Sequence, residues 1–105
     1  MAWLYLVLAG ICEIGWPVGL KLGWTDEGAR PGWIVFAVVA MTASGALLLW
    51  AQRVIPMGTA YAVWTGIGAV GAFVVGILAF GDSASTMRIV SIALIVAGIV
   101  GLKLA

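Results

Sequence analysis

The sequence predicts an all-α membrane protein, a single domain of four transmembrane helices, and three observations lead there. Of 105 residues, 65% are apolar and only 9% charged, where a soluble domain carries roughly a quarter charged residues. The apolar residues fall in four runs, each near the ~20 residues that cross ~30 Å of hydrocarbon at ~1.5 Å per residue. Charges and turn formers fall mostly between those runs. Four spans take up about 80 residues, which leaves no room for a soluble or nucleotide-binding module. Any energy source must then be an ion gradient or be supplied by a partner.

The first span covers residues 3–22 and ends in the polar stretch 23–31, which holds Asp26, Glu27 and Arg30. It lacks a basic leading segment and carries Glu13 in mid-run, so it reads as a retained helix and not a signal peptide. The second span, 32–52, is followed by Arg53 and a tight turn into Pro56, a residue favoured in the first turn of a helix. The third covers 57–80 and is broken by Gly81 and Asp82. The fourth covers 85–104, with Ser85 as its N-cap. The one cysteine, Cys12, lies inside the first apolar run and reads as a small buried hydrophobe.

Short loops force successive helices to run in opposite directions. Lys21, Arg30 and Arg88 then share one membrane face, and Arg53 and Lys103 the other. Three bases against two is almost no positive-inside bias, which predicts dual topology, against the alternative that other features fix one orientation.

Glu13 is the only ionisable residue deep within a span. Ten residues beyond Trp3, it lies about 15 Å along the helix, near the bilayer midplane. A charge there costs at least ~2.5 kcal/mol, so the side chain should face protein or water, and an intramembrane acid is a functional-site candidate by default. The plainer alternative is a neutral glutamic acid that only joins helices.

The tryptophans divide by depth. Trp3, Trp24, Trp33 and Trp50 lie near helix ends, where an aromatic belt is expected. Trp16, three residues after Glu13, shares its helix face. Trp64 is about 12 Å beyond Pro56 and also near mid-depth, with Tyr61 on its face. Buried indole N–H and phenol O–H groups need partners, and a midplane carboxylate would satisfy them. Ser44 lies at similar depth in the second span; the competing reading is a bond to its own helix one turn back. Thr42, Thr59 and Thr65 read as packing residues.

Small residues mark faces for close helix approach: Gly68, Ala72 and Gly76 on the third span, and Ala93, Ala97 and Gly101 on the fourth, where Ser91 and Gly98 stand seven apart. Gly66 and Gly68 follow Trp64 and predict either a flexing point or room for packing. Pro17 cannot donate to the carbonyl of Glu13 and predicts a bend over residues 13–17. No histidine, cysteine pair, phosphate-cradling glycine loop or basic cluster is present, which argues against an enzyme, a metal or other cofactor, and nucleic acid as a partner.

Glu13-Ile14-Gly15-Trp16 with Leu20-Lys21, the run from Pro56 to Gly71 containing Tyr61-Ala62-Val63-Trp64-Thr65-Gly66-Ile67-Gly68, and the ending Gly98-Ile99-Val100-Gly101-Leu102-Lys103 resemble the small multidrug resistance transporters. Trp16, three residues after the glutamate, resembles the guanidinium-exporting subtype. The resemblance implies a proton-coupled antiporter of the bacterial inner membrane, working as an antiparallel homodimer of dual-topology subunits surrounded by lipid. It implies that Glu13 binds substrate or protons, held by hydrogen bonds from Trp16, Ser44, Tyr61 and Trp64. It also implies a flexing region at Gly66 and Gly68, and dimer packing through Ser91, Gly98 and Gly101. Pro17 departs from the usual small residue, and the first loop looks longer than typical. The rival readings are a broader exporter of quaternary ammonium or hydrophobic cations, a non-transporting membrane subunit, and half of a heterodimer.

Overall fold

The computed structural model describes residues 1–105. Its elements in chain order are α1 (Ala2–Gly23), β1 (Trp24–Thr25), β2 (Gly28–Ala29), α2 (Pro31–Ala51), α3 (Met57–Phe80) and α4 (Thr86–Leu104). All four helices are long and apolar enough to cross a membrane.

The polar stretch between α1 and α2 is more ordered than its composition suggests. It closes into a two-stranded antiparallel hairpin pairing Trp24 with Ala29 and Thr25 with Gly28. Gly28 has φ +118°, a conformation that only glycine adopts freely. The Thr25 hydroxyl donates to the Gly28 carbonyl at 3.1 Å, which ties the turn from within. Pro31 then occupies the first turn of α2, where its missing N–H has no partner to lose.

α1 remains helical through Pro17. α3 is likewise one helix through Gly66 and Gly68 and ends at Gly81, whose φ of +69° supplies a left-handed cap. At α4 the Ser85 hydroxyl accepts the Arg88 N–H at 3.4 Å, as an N-cap serine should.

The helices form a slab, 47 × 34 × 16 Å. α1 is the central element, packed on α2 and α3, whereas α4 leans on α3 and buries no residue. The core lies at one end of the slab, where Leu6, Ala51, Ile55, Ala60 and Val63 meet. Close approach along the helices depends on glycine. Gly19 brings α1 against the Trp33 carbonyl, 3.0 Å from where a Cβ would stand, and at Gly10 the Ile67 side chain lies 2.7 Å from where a Cβ would stand. Neither position has room for a larger residue.

The predicted belt is visible at the helix ends. Trp24, Trp33 and Trp50 are exposed, and Trp3 carries the Lys103 ammonium 4.6 Å from its ring centre. Cys12 is half-buried and unbonded to any other sulfur.

Candidate functional site

Glu13 lies on the face of α1 that meets α3, half-buried between the helices. Helical spacing places Trp16 one turn further on the same face, and the Trp16 Nε1–H donates to Glu13 Oε1. Opposite stands Gly68 of α3. A Cβ there would come within 2.6 Å of the Glu13 Cγ, so the glutamate side chain fills the space glycine leaves. A neighbouring notch at Gly71 takes the side chain of Ile14. The carboxylate is thus set from two sides, by an indole on its own helix and by bare backbone across the seam.

Ser44 is fully buried, and its hydroxyl crosses from α2 to donate to the Ala9 carbonyl of α1 at 2.7 Å. The Trp64 Nε1–H donates to Ser44 Oγ at 2.7 Å. Three helices are joined through one hydroxyl, one turn from Glu13. The expected direct bonds from Ser44 and Trp64 to the carboxylate are not formed. A serine hydroxyl has one proton and an indole one N–H, and both are already committed. Thr42 and Ser91 do what Ser44 does not: they bond back to Val38 and Met87 of their own helices, at 2.9 and 2.8 Å.

Tyr61 is 58% exposed, with its ring 5.5 Å from that of Trp64, and its hydroxyl takes no part in either hydrogen-bonded set. The two glycines paired in the sequence face different neighbours. Gly68 meets Glu13, whereas a Cβ at Gly66 would strike Ile99 of α4 at 2.6 Å. Ser91, Gly98 and Gly101 are exposed, with nothing of this chain within 4 Å of a Cβ at either glycine.

The contact of Gly68 with Glu13 was not anticipated from sequence, although a signal existed. Gly68 lies eleven residues beyond Met57, about 17 Å along its helix, close to the depth of Glu13.

The Ser44 hydroxyl yields a direct prediction. Trp64→Phe leaves Ser44 bonded to Ala9 but removes an indole bond worth about 1 kcal/mol. Its thermal midpoint in detergent should fall modestly, while Ser44→Ala should fall further, because it strands the Trp64 N–H as well. Equal midpoints for the two variants would contradict this ordering.

The class follows from comparison with known proteins. The family model described as Small Multidrug Resistance protein matches residues 1–95, and the chain belongs to that family. It is a multi-pass transport protein of the bacterial inner membrane. Among its relatives, the guanidinium exporter of Escherichia coli (strain K12) is 56% identical over 104 residues, 99% of this chain and 97% of the relative. The guanidinium exporters of Salmonella typhimurium (strain LT2) and Citrobacter freundii are each 53% identical over the same shares.

Proposed function

We propose that the protein exports guanidinium in exchange for protons, as a homodimer whose two subunits insert in opposite orientations. The observation that carries this reading is the single mid-span carboxylate, Glu13, placed by Trp16 and Gly68 within a helix seam. The near-full-length likeness to proteins named guanidinium exporters supports the choice of cargo.

Guanidinium is planar, and its N–H donors match a carboxylate two to two. A proton and a guanidinium ion compete for the same oxygens. If the dimer reorients only when the carboxylate is loaded, inward protons drive outward guanidinium. Two inverted copies would bring two Glu13 groups to one cavity, a two-chain version of the inverted repeats of larger transporters. The exposed small residues Ser91, Gly98 and Gly101 of α4 are the proposed contact between copies. Gly66 and Gly68 are proposed as the part of α3 that flexes.

Currents recorded from purified protein on a solid-supported membrane test the cargo. Guanidinium should evoke a current whose sign follows the imposed proton gradient, and tetrapropylammonium should evoke little. Robust tetrapropylammonium current without a guanidinium response would favour the broader cation exporter and overturn the reading. Cysteine-labelling from both faces of the membrane tests the orientation: each loop should label from both sides.

A further inference from the structure

Past Glu13 the seam between α1 and α3 opens into an outward-facing chamber built from quite different groups, with Lys21 and Asp82 exposed at its mouth. The left-handed Gly81 turns the chain back on itself, so that its own N–H and that of Asp82 both reach the Gly76 carbonyl, the latter at 3.0 Å. That turn lays the Asp82 carboxylate against Gly76. From the facing helix Lys21 places its ammonium 4.7 Å from the centre of the Phe80 ring. The chain's one ion pair joins Arg30 to Glu27, so the Asp82 carboxylate has no salt-bridge partner. Lys21, Phe80 and Asp82 line one cavity of about 150 Å3, whose inner wall includes Pro17 and Ala72.

Pro17 is one turn beyond Glu13, and Ala72 one turn beyond Gly68. The chamber is therefore the next layer of the seam that holds the carboxylate, with Lys21 about 12 Å along the helix from Glu13. An aromatic face and a carboxylate in one small cavity form a cation site, since the ring quadrupole and the charge both attract positive groups. The chain supplies its own cation to it.

We propose that this chamber is an outer station for the transported cation on its way to and from Glu13, and that Lys21 is its tethered competitor. The proposal rests on the export reading above. An incoming guanidinium stacks on Phe80 and bonds to Asp82 in the plane of its fork, which the compact ammonium of Lys21 does only as a point charge. Lys21 then swings out on its flexible stem to the membrane surface. A station on the route changes how fast the inner site fills and empties, and leaves the affinity of that inner site unchanged.

Stopped-flow tryptophan fluorescence of the reconstituted protein, with guanidinium chloride as the probe, tests this, because Trp16 touches Glu13. Lys21→Gln should raise the association and dissociation rates together by about three- to tenfold, the scale of losing one partly exposed cation–π competitor. Asp82→Asn, which keeps the shape, and Phe80→Leu should lower both rates by similar factors, with Kd within about twofold of wild type throughout. Normal wild-type binding with rates unmoved in Lys21→Gln and Asp82→Asn would overturn the station alone. So would a change in Kd carried by dissociation only. A wild-type protein without a Glu13-dependent signal would overturn the export reading and the station with it.

Discussion

Glu13→Gln should abolish guanidinium-driven proton movement while leaving a folded protein. Glutamine has the same shape and keeps an oxygen to accept the Trp16 N–H, so the local packing survives. It loses the negative charge and the exchangeable proton together. Of the two charge-assisted hydrogen bonds, each worth about 1.5–3 kcal/mol, one becomes neutral and the other is lost, because the amide NH2 cannot accept from a guanidinium N–H, so guanidinium affinity should fall by about 100-fold or more. Isothermal titration of the variant in detergent gives the affinity, and proton uptake into guanidinium-loaded vesicles gives the exchange. Unchanged exchange in this variant would mean that the carboxyl only joins helices, and the transport role of Glu13 would be lost.

Gly68→Ala is the second substitution with a large expected effect. The new methyl would come within 2.6 Å of the Glu13 Cγ, and both partners belong to packed helices. The neighbouring glycine notches are already occupied, by Ile67 at Gly10 and by Ile14 at Gly71. Either α1 parts from α3 or Glu13 leaves Trp16. Overpacking of this kind costs about 1–3 kcal/mol, and the thermal midpoint should drop while guanidinium binding weakens about tenfold. Gly66→Ala separates two roles for this glycine pair. It presses on Ile95 and Ile99 of α4 and not on the carboxylate, so it should slow exchange while sparing equilibrium binding. Gly58→Ala, with open space around its Cβ, is the control that should change neither. Normal binding by Gly68→Ala would show that Gly68 is not what sets the carboxylate in place.

Glu13 with Trp16 was legible in the chain because both lie on one helix, where a spacing of three residues fixes a shared face whatever the rest of the protein does. The partners of Ser44 were not legible. Depth alone brought Ser44 and Trp64 near the carboxylate, yet their protons go to Ala9 and Ser44. That choice depends on how α1, α2 and α3 are rotated about their axes. The same rotation sends Gly66 to α4 and Gly68 to α1, although the two are separated by a single residue.

By itself the sequence determined the solvent, the four spans, and the place of the one mid-span acid and its indole neighbour along their helix, since each of these is a property of composition or of distance along a single helix. Only the tertiary structure decided which glycine meets which side chain, where the Ser44 hydroxyl points, that residues 24–29 form a hairpin, and that Lys21, Phe80 and Asp82 share a chamber. The reason is that these helices are apolar over most of their circumference and lie in a solvent as apolar as they are. No hydrophobic face then tells a helix which way to turn, and the rotation is left to close packing and a few hydrogen bonds between residues far apart in the chain.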